Sequence, residues 1–67
     1  MIRITVNGAQ HSFDKPVEIS AVLSRLNLLG KKLAVERNGE IVPRSAHAQT
    51  LLADGDHLEI VVAVGGG

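Results

Sequence analysis

Few of the reactive groups in this sequence stand in a pattern that a reaction requires. Cysteine is absent, which excludes disulfides, thiolate zinc sites, cysteine nucleophiles and sulfur carried on a side-chain thiol. The three histidines, His11, His47 and His57, lack metal-ligand spacing. None has a serine or cysteine partner in a recognisable nucleophile motif. Asp54 and Asp56 look like a paired carboxylate, but they flank Gly55, and Asp and Gly are the residues a tight turn requires. The internal glycines stand singly in turns and form no loop that would cradle a phosphate. Neither a catalytic side chain nor a metal site is expected.

The C-terminal end reads differently. An apolar run, Leu58 to Val64, leads into Gly65-Gly66-Gly67. Glycine weakens a strand and loses the most entropy on ordering, so these residues are expected to form a slim, flexible tail. Without Cβ atoms they meet little steric resistance, and in extended form they reach roughly 10 Å. That suffices to thread a narrow channel and present the Gly67 α-carboxylate inside another protein. The reference pKa of such a group is ~3.3–3.7, so it is ionised at neutral pH and able to attack the α-phosphate of ATP. The acyl adenylate so formed is open to sulfur or to an amine. On these residues alone a working carboxylate, an ordinary frayed end and an expression artefact all stay open.

The rest of the chain must position that tail. Ile2, Ile4 and Val6 alternate with Arg3 and Thr5, which predicts a half-buried strand over Met1 to Val6. Asn7-Gly8 is a strong hairpin signal, because both central positions of a type I′ turn need positive φ. Ala9 to Phe13 is the return strand, with Phe13 a core residue. Pro16 closes the turn Asp14-Lys15-Pro16. From Ile19 to Leu28 the period becomes helical, placing Ile19, Val22, Leu23, Leu26 and Leu29 on one face and Ser24 and Arg25 outside. Ser20 or Glu18 is the expected cap, Gly30 the left-handed terminator, and Lys31 and Lys32 follow where cations suit a helix end. Leu33 to Arg37 returns to strand. Asn38-Gly39 turns into the short strand Glu40 to Val42, which Pro43 ends. Arg44 to Thr50 reads as a loop with one helical turn, pinned to the core by Leu51 and Leu52. His57 to Val64 is the last strand, with Leu58, Ile60, Val62 and Val64 inward and Glu59, Val61 and Ala63 outward.

This order predicts an α+β domain over residues 1–64: a four- or five-stranded mixed sheet covered on one face by a single helix, followed by the tail 65–67. Val61 and Ala63 then make an apolar spot on the open face, next to the tail, and are candidate partner-contact residues. Sixty-seven residues make one small domain, and 45% apolar content suffices for one core. The formal net charge is zero, with scattered charges and one aromatic residue. Nucleic-acid binding is therefore not expected. No stretch approaches the ~20 apolar residues of a membrane helix, and no signal peptide is evident. The expected setting is the cytoplasm.

Three stretches, taken together, carry a resemblance. They are Asn38-Gly39-Glu40-Ile41-Val42-Pro43-Arg44, then Asp54-Gly55-Asp56 before the last strand, then Val64-Gly65-Gly66-Gly67 at the end. In this order, spacing and length the whole chain resembles the ThiS family, the sulfur carriers of thiamine biosynthesis, which share the ubiquitin-like β-grasp fold. The resemblance implies that an E1-like adenylyltransferase of the ThiF type adenylates the Gly67 carboxylate with ATP. Sulfur relayed from a cysteine desulfurase then leaves a Gly67 thiocarboxylate, which thiazole synthase, of the ThiG type, uses for the thiazole ring. Gly65 and Gly66 carry over as the neck that enters both partners' active sites. The carrier, a monomer on its own with no bound cofactor, supplies no catalytic side chain. His47 departs from the pattern, since many relatives carry an aromatic residue, often Trp, in this loop. Related readings are the small subunit of molybdopterin synthase, which uses the same terminal chemistry, a ubiquitin-like modifier, and a non-covalent interaction module. Chain length and the Val-Gly-Gly-Gly ending favour the thiamine carrier over the molybdopterin subunit.

Overall fold

The computed structural model describes residues 1–63; the expectations for Val64, Gly65, Gly66 and Gly67 lie outside the described residues. Both Asn-Gly pairs turn as their chemistry requires. Asn7 and Gly8 take φ of 49° and 85°, and Asn38 and Gly39 take 50° and 89°, the left-handed values that Asn and Gly adopt most readily. The first pair joins β1 (Ile2–Val6) to β2 (Ala9–Phe13), and the second joins β3 (Leu33–Arg37) to β4 (Glu40–Val42). Between these antiparallel hairpins runs β5 (His57–Val62), parallel to β1 and antiparallel to β3. The order of the five-stranded sheet is β2-β1-β5-β3-β4. The strand that leads to the tail is therefore the central one.

A single helix, α1 (Ile19–Arg25), covers one face of the sheet and buries Ile19, Val22 and Leu23. Each such side chain contributes about 1.5–3 kcal/mol by leaving water. They pack with Ile2, Ile4, Val6, Phe13, Val35, Leu52, Leu58 and Ile60 in one core. The arrangement is the β-grasp type, a mixed sheet with one helical cover. The Arg25 guanidinium lies 4.1 Å from the centroid of Phe13 and donates to the Ser12 carbonyl at 2.9 Å, sealing the core at the β2 edge.

Details of the helix differ from the sequence expectation. It ends at Arg25 rather than Leu28, because Asn27, not Gly30, is the left-handed terminator, with φ 61°. The Leu28 N–H donates to the Leu23 carbonyl and the Asn27 N–H to the Ser24 carbonyl, which completes a Schellman motif. Gly30 turns the chain a second time. Leu29 consequently leaves the helical face and is exposed. At the other end Glu18 is the cap and its side chain makes no capping bond. The Thr50 and His47 carbonyls accept from the Ile19 and Ser20 N–H groups instead. A helix of seven residues is too short to stand alone in water; packing and these borrowed carbonyls hold it. The loop that supplies them contains the expected helical turn, a 3₁₀ segment over Arg44–Ala46. Leu52 pins this loop to the core as expected, whereas Leu51, whose backbone bridges Glu18, has an exposed side chain.

Candidate functional site

The feature that positions the tail is the strand before it. At its start, β5 is held from every side. The Asp56 carboxylate, only 8% exposed, accepts from the Arg37 guanidinium at 3.0 Å and 2.9 Å, from the Asn38 amide at 3.1 Å and from the Ala53 N–H at 2.9 Å. Burial alone would raise the pKa of Asp56, but the bonds from Ala53, Asn38 and Arg37 outweigh it and hold the carboxyl below its usual 3.8. The Asn38 side chain also accepts from the His57 N–H at 2.9 Å, while the Asn38 N–H donates to the His57 carbonyl at 2.8 Å. The turn before β5 is tied to β1 as well. The Arg3 N–H donates to Asp54, and the Gly55 N–H donates to the Arg3 carbonyl.

One step further along, Asn7 extends the sheet beyond the end of β1. Its N–H donates to the Leu58 carbonyl at 3.0 Å. Its side-chain carboxamide accepts from the Ile60 N–H at 2.7 Å and donates to the Ile60 carbonyl at 2.9 Å. The carboxamide thus takes the place of a peptide group. After Ile60 the strand is paired only with β3, through Val61 opposite Ala34, Val62 opposite Leu33, and the Ala63 N–H bonded to the Lys32 carbonyl at 2.9 Å.

Val61 and Ala63 lie on the open face, as their alternation predicts. Val61 is 65% exposed, and Ala34 stands opposite it on the same face. Further from the tail on this face Glu36 is directly opposite Glu59, with Ile41 beside Glu36. Like charges so placed cost stability. The ion pair between Arg37 and Asp56 involves neither glutamate, so two carboxylates stand together on this face beside exposed apolar side chains.

Nearby polar side chains serve the fold. His47 is buried, and its Nε2 lies 3.0 Å from the Val42 carbonyl, so the imidazole ties the loop to β4 by a polar bond. Arg44 donates to the Lys31 carbonyl at 3.1 Å. With Lys31 it rims a cleft of about 200 Å³ on the helix side, lined by Leu23, Leu28 and Leu33. Among the described residues no three His, Asp or Glu side chains gather in a way that would hold a metal ion, and no helix is long and apolar enough to cross a membrane. Asn7, Asn38 and Asp56 are the positioning residues that sequence reasoning passed over. Their turn chemistry was visible, but apart from the local bond from Ala53 to Asp56 their side-chain bonds span 18 to 53 residues.

The sequence profile of the ThiS family matches residues 4–67. A crystal structure of the thiamine biosynthesis protein ThiS from Geobacter metallireducens superposes with a TM-score of 0.81 at 33% identity, covering 98% of this chain and 100% of that one. A protein designated ycf40 from Pyropia yezoensis is 35% identical over 66 residues, 93% of its length. A thiazole synthase from Paramagnetospirillum magneticum is 44% identical over 66 residues, and one from Magnetococcus marinus is 32% identical. The chain spans only 20% of each of these two synthases. Fold, length of match and identity agree: the chain belongs to the ThiS family, the sulfur carriers of thiamine biosynthesis.

Proposed function

We propose that the working group is the α-carboxylate of Gly67, carried on the Gly65-Gly66 neck, and that its sulfur goes to a thiazole synthase. The observation that carries the choice of acceptor is the alignment with two thiazole synthases, each containing a segment that matches 98% of this chain. Carrier and synthase thus occur joined in one polypeptide in those relatives. The mechanism needs no side chain of this protein, which accords with membership in a family of carriers rather than enzymes.

The chemistry runs in three steps. A carboxylate oxygen of Gly67 attacks the α-phosphorus of ATP on an E1-like adenylyltransferase, and pyrophosphate leaves. A sulfur nucleophile relayed from a cysteine desulfurase attacks the carbonyl carbon of the acyl adenylate, and AMP leaves. If the nucleophile is a persulfide, a thiol then reduces the resulting acyl disulfide and frees the thiocarboxylate. Thiazole synthase takes that sulfur into the ring. Val61 and Ala63, exposed beside the exit, supply the apolar contact that seats the partner while the neck enters its channel.

Deleting Gly67 tests the assignment. The fold, judged by its unfolding midpoint, is expected to be unchanged, and sulfur transfer to thiazole synthase is expected to be abolished. Thiazole formation at the normal rate with the truncated chain would refute a working Gly67 carboxylate.

A further inference from the structure

Backbone groups of β5 alternate between its two neighbours. Odd-numbered residues face β3: the His57 carbonyl accepts from Asn38, and the Ala63 N–H donates to Lys32. Even-numbered residues face β1: the Leu58 carbonyl accepts from the Asn7 N–H, and both backbone groups of Ile60 are taken by the Asn7 carboxamide. Val62 is the next even residue. Its N–H and C=O therefore point to the β1 side, where β1 has already ended at Val6 and the chain has turned back at Asn7-Gly8. They do not pair with β3, since Val62 and Leu33 form a non-hydrogen-bonded pair in this register. By this register neither group is paired with β1 or β3 among the described residues. The central strand of the sheet thus ends on a short free edge directly ahead of the tail.

We propose that this edge at Val62 is the docking slot for an extended segment of thiazole synthase, which pairs with it as an added strand. The inference rests on the reading of the tail given above. A neck of glycines offers no side chain to recognise, so a partner must read it through the backbone, and strand addition does this. Pairing also sets depth. With Val62 fixed, the Val64-Gly65-Gly66-Gly67 segment extends at most about 14 Å beyond Ala63, so the register at Val62 determines where the carboxyl carbon sits in the partner's active site. The occupant is assigned to thiazole synthase because that enzyme contains a matching segment in two relatives.

Amide hydrogen exchange of the full chain, alone and with a separately encoded thiazole synthase, tests the slot. In the free carrier the Val62 amide is expected to exchange at least about tenfold faster than the flanking Val61 and Ala63 amides, which bond to β3, and to slow at least about tenfold in the complex. Val62→Pro removes an N–H that has no partner among the described residues, although its ring also fixes φ and restricts Val61, and it is expected to bind the synthase about tenfold more weakly than Val62→Ala, which keeps the N–H. Replacing Val62 by its α-hydroxy analogue, an ester without the N–H, should reproduce the loss. A complex that forms with Val62 exchange unchanged would overturn the slot and leave the carrier function standing. So would equal affinities of Val62→Pro and Val62→Ala, or protection of Val62 by the adenylyltransferase alone. Absence of any complex with the wild-type chain would refute the reading of the tail itself, and the slot with it.

Discussion

The two ends of β5 are built on opposite plans. The His57 end is flanked on both sides and held by side chains from the turns around it, Asn38, Asp56 and Asn7. The Val62 end is paired on one side only and exposes Val61 and Ala63. A carrier benefits from this asymmetry. The base must hold the strand in one register, because a slip by one residue would exchange the core face with the open face. The exit must remain accessible to partners, which means leaving apolar side chains and backbone groups without partners among the described residues.

Damage at the base should cost stability, and damage at the exit should cost partner binding. The largest effect is expected at Asp56. Asp56→Ala leaves the Ala53 N–H, the Asn38 amide and the Arg37 guanidinium without their shared acceptor. A loss of about 2–4 kcal/mol in denaturant unfolding is expected, a large fraction of the stability of so small a domain. The same carboxylate gives a pH signature. Its folded pKa lies below the usual 3.8, so between the folded and unfolded values the unfolded chain binds more protons and stability rises with pH. The stabilisation is complete above the unfolded value and is lost as pH falls through the folded one. Asp56→Asn should remove that part of the acid dependence, and an unaltered slope in the variant would assign it to other carboxylates.

A smaller loss, about 1–2 kcal/mol, is expected for Asn7→Ala, which deprives Ile60 of both its partners on the β1 side and places a non-Gly, non-Asn residue at φ 49°. Asn7→Asp keeps the acceptor for the Ile60 N–H and should cost less. Equal unfolding free energies for the two variants would show that the acceptor offered to the Ile60 N–H contributes little at this turn.

At the exit the sign of the comparison reverses. Val61→Asp should change stability by no more than about 0.5 kcal/mol, since the residue is 65% exposed. It should nevertheless weaken binding to thiazole synthase by roughly tenfold, because it places a charge in an apolar contact. Binding unchanged within twofold, measured by titration calorimetry, would make this spot ordinary surface.

Legibility in the sequence follows the same division. The strands, the helix and both hairpin turns depend on local periodicity and on Asn-Gly pairs, and each could be read from a few neighbouring residues. Helix termination was misplaced because Gly30 was the more obvious breaker, while Asn27 serves the left-handed position equally well. The network at the base could not be read. Asn7, Asn38 and Asp56 announce turns, but their second use, bonding a strand far away in sequence, depends on a register that only the folded sheet defines. The free edge at Val62 was hidden for the same reason. It follows from where β1 stops relative to β5, and no residue type marks it.

The central claim is that the Gly67 carboxylate becomes a thiocarboxylate. Intact-mass spectrometry after incubation with ATP, an E1-like adenylyltransferase and a cysteine desulfurase with its substrate tests it most directly. The account predicts a mass increase equal to replacement of one oxygen by sulfur, located by fragmentation at Gly67 and absent when ATP is withheld. An unchanged intact mass, under conditions in which the adenylyltransferase turns over ATP with this chain, would contradict it.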